Sequence, residues 1–409
     1  MLDPTRIMQR CDALARHSEL PGGLTRVFLS PEWRAAADLV LGWMREAGMQ
    51  AGLDAIGNVV GRYEGERAAP PALMLGSHLD TVRDAGKYDG MLGVVTAIEC
   101  VHLLNAGRQR LPFAIEVVGF GDEEGVRFGT TLLGSRAIAG TLDPQILDTR
   151  DANGISIAQA LRQSGLAPDQ VPLLGRKRGE VLAYVELHIE QGPVLEAEGL
   201  PVGVVTAING FSRLRCTLHG EAGHAGTVPM TLRRDALAAA AECVLAVERI
   251  ARARPELVAT VGRLEALPGA INVIPGEARF TVDVRAPANA SREQAVAAVR
   301  AEIARIAQAR RVAFEIETLQ ELGSSACAPW LMAQLERAVE AEGVRALRLP
   351  SGAGHDGMAL KALADIAMLF VRCERGISHH PAEAISAQDA GTAARVLHRF
   401  IHDFRPVSA

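Results

Sequence analysis

The 409-residue chain contains no run of 18 or more apolar residues, no basic stripe and no C-x-x-C pair, and each absence removes a class of function. Without a long apolar run it has no segment suited to span a bilayer. Its first twenty residues, MLDPTRIMQRCDALARHSEL, lack the apolar core of a signal peptide, so a cytoplasmic location is expected. A formal charge of −5, with 43 Lys+Arg against 48 Asp+Glu, argues against nucleic-acid or membrane-surface partners. The six cysteines, Cys11, Cys100, Cys216, Cys243, Cys327 and Cys373, lie far apart, which indicates buried reduced thiols rather than a disulfide framework or a thiolate metal site. Internal repeats and low-complexity tracts are also missing. What is present is ordinary globular composition, 48% hydrophobic and 22% charged, in a chain longer than one hydrophobic core usually sustains. Two domains are therefore expected.

The first half of the chain alternates strand and helix signals. Ser30-Pro31 reads as an N-cap followed by proline at the first helical position, and the helical spacing that follows stops at Gly48. Strand-like runs follow at NVVGRY and ALMLGSH, then a helix at VVTAIECVHLL and a strand at FAIEVVGF. That order predicts an α/β layer with a mostly parallel central sheet, whose ligands gather beyond the carboxyl ends of the strands. From about Phe211 the order becomes strand, helix from Thr231, strand, strand, helix, strand, the βαββαβ pattern of a ferredoxin-like α+β unit. Ser291 and Gln294 are spaced as a capping box for the second of these helices. The expected architecture is a discontinuous catalytic domain, 1–209 and 327–409, with 210–326 inserted between its halves.

Polar residues collect where the apolar runs of the first domain end. In LMLGSHLDTVRDAGKYDGMLGV, His78 and Asp80 stand at i and i+2, which in a strand would face the same way, so Asp80 is placed to orient the His78 ring. Asp89 follows a glycine-punctuated loop. GFGDEEGVRFG puts Asp122, Glu123 and Glu124 together after a strand, either as a solvated acidic turn or as carboxylates that a cation neutralises. ELHIEQGP adds His188 and Glu190, and GISHHPAE adds His379 and His380, either of which has the chemistry of a ligand. Neutral imidazoles with carboxylates suit zinc, manganese, cobalt or nickel. Two such ions sharing Asp89 would generate hydroxide at neutral pH and polarise a carbonyl, with one further carboxylate moving the proton.

The motifs GSHLDTV, GKYDGMLGV, DEEGVRFG, GSRAIAG, HIEQGPVLE, GHAGTVPM, NVIPG, SGAGHDGMAL and GISHHPAE together resemble the di-metal amidohydrolases and peptidases of the M20 clan. The likeness spans nearly the whole chain. It is nearest to the branch of N-carbamoyl-L-amino acid hydrolases, β-ureidopropionases and allantoate amidohydrolases. The resemblance implies two divalent ions per subunit, one held by His78, Asp89 and His188 and the other by Asp89, Glu124 and His379. It implies Glu123 as general base and Asp80 as the residue orienting a ligand. A histidine at 188 marks the ureido-cleaving branch, since plain peptidases usually carry a carboxylate there. The family pattern of serine, histidine, any residue, proline selects His379 over His380.

By the same resemblance the inserted domain mediates a homodimer whose active sites are shared between subunits. His224 would stabilise an oxyanion, and Asn272 and Arg285 would hold the substrate, Arg285 by a two-bond clamp on its carboxylate. Gln191 would contact the ureido group, and Gly354, His355 and Asp356 would line the pocket. Gly357 departs from the alanine common in the family. The implied reaction is hydrolysis of the carbamoyl C–N bond of an N-carbamoyl-L-amino acid to L-amino acid, ammonia and carbon dioxide. Allantoate or β-ureidopropionate hydrolysis is the alternative, followed by a dipeptidase, a deacylase or a non-catalytic relative.

Overall fold

The computed structural model describes residues 2–67 and 69–407. The chain divides into two compact units, Met1–Thr206 with Cys327–Leu349 and Ala353–Ala409, and Ala207–Ala326 with Pro350–Gly352. Among the described residues no helix is long and apolar enough to cross a membrane.

The larger unit is built on a mixed sheet. Its centre is four strands, Ala114–Phe120, Ala72–His78, Val181–Ile189 and Ile366–Val371, neighbours in that order and all parallel. They are buried along nearly their whole length, which is why they read as unbroken apolar runs rather than as alternating patterns. Antiparallel strands flank this centre: Val59–Tyr63 on one side and Val202–Ile208 on the other. Helix Met91–Ala106 is apolar nearly all round and packs on the central strands. Its one buried acid, Glu99, is held by the Nε of Arg6 at 2.8 Å, so the ion pair ties the first helix to the core. Ser30 caps helix Pro31–Glu46 by accepting from Trp33 N at 3.1 Å, as its spacing predicts.

In the smaller unit, strands Leu264–Leu267, Glu277–Ala286, Gly210–His219 and Ala313–Leu322 form an antiparallel sheet in that order. Residues alternate along Gly210–His219. Leu214, Cys216 and Leu218 enter a core shared with Ala239, Cys243 and Val247 of helix Ala236–Arg252 and Val299 and Ile303 of helix Asn289–Arg310. Val258–Thr260 also pairs with Glu277–Ala286, so the second strand of the βαββαβ order is broken in two.

Two helix starts differ from the sequence expectation. The first helix of this unit begins at Ala236 rather than Thr231, because Asp235 caps it by accepting from Ala238 N at 3.0 Å. The second begins at Asn289 and forms no capping box at Ser291. There Asn289 Oδ1 accepts from Ser324 N at 2.8 Å and Arg292 Nη1 at 2.9 Å, and this link to the strand end winds the helix two residues early.

Candidate metal centre

Three ligand-type side chains stand at the ends of central elements. His78 closes strand Ala72–His78, His188 lies one residue from the end of Val181–Ile189, and Asp89 precedes helix Met91–Ala106. A positive-φ turn at Gly90, closed by Met91 N donating to Asp89 O at 3.0 Å, turns the chain from Asp89 into that helix. Asp89 is 3% exposed, and its two oxygens face two different groups. Oδ1 lies 3.1 Å from His188 Nε2 and 3.7 Å from His78 Nε2. Oδ2 lies 3.2 Å from His379 Nε2, which is itself 3.3 Å from Glu124 Oε1.

The donor set fits a pair of cations. The Nδ1 atoms of His78 and His188 contact the carbonyls of Asp80 and Ile189 at 3.0 and 2.9 Å, bonds that put the proton on Nδ1 and leave the Nε2 lone pair free. Asp89 Oδ1 and His188 Nε2 are buried and, among the described residues, make no hydrogen bond although they are 3.1 Å apart. Atoms so arranged share an outside point rather than a bond. Ligand atoms of His78, Asp89 and His188 lie within 4.8 Å of one another, as do those of Asp89, Glu124 and His379. Burial works against an ionised Asp89, but the three imidazoles, where they are protonated instead of metal-bound, outweigh it and hold its carboxyl well below the ordinary range. His379 is pushed up to about 10 by its bonds to Asp89 and Glu124.

The Asp122–Glu124 run is not a solvated turn. Asp122 is fully buried and Glu123 is 8% exposed. Burial raises the Glu123 carboxyl well above the usual carboxylate range, with Glu124, Asp356 and Asp80 adding to the rise and His78 opposing it.

Asp80 corrects the expectation made from strand geometry. The strand ends at His78, so the same-face rule no longer applies two residues on, and the His78 ring meets the Asp80 carbonyl rather than its carboxylate. The carboxylate instead accepts from Glu123 N and Glu124 N, each at 3.1 Å. Asp80 thus fixes the backbone that carries Glu123 and Glu124. Glu190 belongs to the scaffold, since it accepts from Val194 N and Leu195 N at the start of a short helix.

Other expected residues are positioned as follows. Gln191 Nε2 donates to Asp89 Oδ2 at 3.0 Å and Ser378 Oγ at 3.2 Å, while its buried Oε1 has no hydrogen-bond partner among the described residues. His355 is 1% exposed and sits edge-on to His188 with ring centroids 4.5 Å apart, so it packs against that ring instead of lining an open wall. Burial holds it neutral. Asp356 is likewise fully buried, whereas Gly354 is exposed. His380, the histidine not selected, accepts from Ala382 N through Nδ1 at 3.1 Å. Glu383, unassigned from sequence, accepts from Tyr88 N and Asp89 N at 2.8 and 3.1 Å. Its only signal was its place at the end of GISHHPAE.

In the smaller unit, His224 ends strand Gly223–His224, which pairs with Val273–Ile274, and Asn272 stands just before that second strand, its O accepting from Ala225 N at 3.0 Å. His224 Nδ1 accepts from Gly226 N at 3.0 Å, which leaves the ring proton on Nε2 as an exposed donor. Arg285 uses its fork within the chain: Nε and Nη2 bond the two oxygens of Asp283 at 2.9 and 3.1 Å, and Nη1 bonds Gly352 O at 2.8 Å.

Residues 74–403 match the family model of Peptidase family M20/M25/M40, and the chain belongs to that family, whose members depend on metal. Within it the chain is 44% identical over 402 residues to an N-carbamoyl-L-amino acid amidohydrolase of Geobacillus stearothermophilus, with 98% of each chain covered. It is 41% identical over 421 residues to allantoate deiminase 1 of Glycine max, covering 95% of this chain and 87% of that one. The crystal structure of a hydantoinase/carbamoylase family amidase from Burkholderia multivorans matches with a TM-score of 0.94 at 36% identity, over 99% of both chains.

Proposed function

We propose that the protein hydrolyses the carbamoyl C–N bond of N-carbamoyl-L-amino acids, as a cytoplasmic homodimer with two divalent cations per subunit. The observation that carries this reading is Asp89, set between two imidazole–carboxylate groups with the buried Glu123 beside them. The substrate class comes from the 44% identical relative named for that reaction. His78, Asp89 and His188 would hold one ion and Asp89, Glu124 and His379 the other, and ions such as zinc, manganese, cobalt or nickel supply a Lewis acid and lower the pKa of water.

Glu123 takes a proton from the attacking water and returns it to the departing nitrogen. The overall change adds one water to R–NH–CO–NH2 and yields R–NH2, ammonia and carbon dioxide. The Nε2–H of His224 donates to the oxyanion. Gln191 Oε1, without a donor among the described residues, accepts from the ureido N–H. Arg285 exchanges Asp283 for the substrate carboxylate, keeping the two-bond geometry, and Asn272 helps to hold the same group. Gly354 borders the pocket. His224, Asn272 and Arg285 act on the site of a second copy.

Allantoate hydrolysis is the second reading, favoured by 41% identity to an allantoate deiminase and by a substrate that also joins a carboxylate to ureido groups. The metal-assisted reaction is tested with Glu123→Gln. The variant is expected to bind cations like the parent but to lose at least ~10²-fold in kcat for ammonia release, the usual worth of a positioned base. Chelation should abolish parental activity and manganese, cobalt or nickel should restore it. Near-parental turnover by Glu123→Gln would remove that residue from the role.

A further inference from the structure

Glu383 joins two loops that carry ligand-type residues and are far apart in sequence. It is 4% exposed. Its Oε1 accepts from Tyr88 N at 2.8 Å and Asp89 N at 3.1 Å, and its Oε2 accepts from Ser378 Oγ at 2.9 Å. The Ser378 hydroxyl is also 3.2 Å from Asp89 Oδ2 and receives Gln191 Nε2 at 3.2 Å. The loop before Asp89 fits closely on the same side chain, because a Cβ added to Gly86 would stand 2.2 Å from Glu383 Cδ. His379, next to Ser378, has φ +54. A non-glycine residue in that region is strained and persists only where its surroundings fix it. Glu383 supplies that restraint from both sides, through Ser378 and through its own N–H to His380 O at 3.0 Å.

His78 and His188 do not need this support. They stand at buried strand ends and are oriented by the carbonyls of Asp80 and Ile189. We infer that Glu383 is a positioning residue for one half of the metal centre: it sets Asp89 Oδ2 and His379 for the cation shared with Glu124, and leaves the His78–His188 side to stand by itself. The inference rests on the two-cation reading above.

The test is cation binding by the full chain, without substrate. Parent, Glu383→Ala, Glu383→Gln and Ser378→Ala are stripped with chelator, checked for folding by thermal melting, and titrated with manganese(II) against a chromophoric chelator. The parent should bind two ions. Glu383→Ala should keep one near parental affinity and weaken the other ~10–100-fold, the usual effect of removing a group that orients a ligand. Glu383→Gln should recover most of the loss, because its Oε1 still accepts both backbone N–H groups and its Nε2 can donate to Ser378 Oγ. If Glu383→Ala does not fold, Ser378→Ala carries the test and should weaken the same single ion. Parental affinity for both ions in a folded Glu383→Ala, a lowered melting temperature with unchanged binding, or equal weakening of both ions would overturn the inference. A parent that binds one ion overturns the two-cation reading instead, and unchanged affinity for that ion in Glu383→Ala would then overturn the role of Glu383 too.

Discussion

Gly90→Ala tests how the turn after Asp89 builds the metal centre. Gly90 has φ +76 and ψ −55, and it closes a three-residue turn between Asp89 and helix Met91–Ala106. An alanine there stores ~1–3 kcal/mol of backbone strain. Its Cβ would lie 2.6 Å from Cε1, Nδ1 and the carbonyl oxygen of His78. Carbon contacts normally fall at ~3.5–4.0 Å, so the ring must retreat by about 1 Å. That movement also breaks the 3.0 Å contact of His78 Nδ1 with Asp80 O, a bond worth ~0.5–1.5 kcal/mol net. A total loss of ~2–4 kcal/mol should be measurable as a lower urea midpoint of the metal-free chain with unchanged slope. Metal ligands tolerate displacements of only ~0.2 Å, so the His78-side ion should bind at least ~10²-fold more weakly while the His379-side ion is retained. Parental stability and parental affinity for both ions would refute the reasoning, since the Cβ would then have found room that the geometry denies it.

Two further outcomes concern the smaller unit. Arg285→Lys keeps the charge but loses the fork, so kcat/KM should fall with cation content unchanged. Equal turnover by the parent of ureido compounds with and without a carboxylate would sink that assignment. If Arg285 serves a second copy, mixing inactive Glu123→Gln with inactive Arg285→Ala and allowing subunits to exchange should restore about a quarter of the sites in a two-fold dimer. Activity that stays at the level of the separate variants, with exchange verified by differently tagged chains, would show that Arg285 acts within its own chain.

The central sheet was legible because strands buried on both faces must be continuous apolar runs, and because His78 closes such a run. The residues that gather around Asp89 were legible as types, since His78 and His188 fall at the ends of apolar strand runs and Asp89 and Glu124 in the loops that follow such runs. Their exact bonds were not. The partner of Asp80 depended on where the strand stopped, a boundary that periodicity fixes poorly, and a strand that ends two residues before Asp80 exchanged a ring for two backbone N–H groups. The role of Glu383 depends on contacts 294 and 295 residues away, which no local pattern encodes. The bond between Arg285 and Asp283 was within reach of the sequence, because residues two apart on a strand share a face. The start of helix Asn289–Arg310 was misread because a tertiary link from Asn289 to Ser324 outweighed the local capping signal at Ser291.

The proposed reaction is cleavage of a ureido bond in an L-amino acid derivative. It is tested most directly by measuring ammonia and free amino acid released by the manganese-loaded parent from N-carbamoyl-L-amino acids, their D-isomers, β-ureidopropionate, allantoate and dipeptides. The highest kcat/KM should be found with an N-carbamoyl-L-amino acid, with equal yields of ammonia and L-amino acid and no turnover after chelation. Faster cleavage of dipeptides than of any ureido compound, or turnover that survives complete removal of metal, would contradict it.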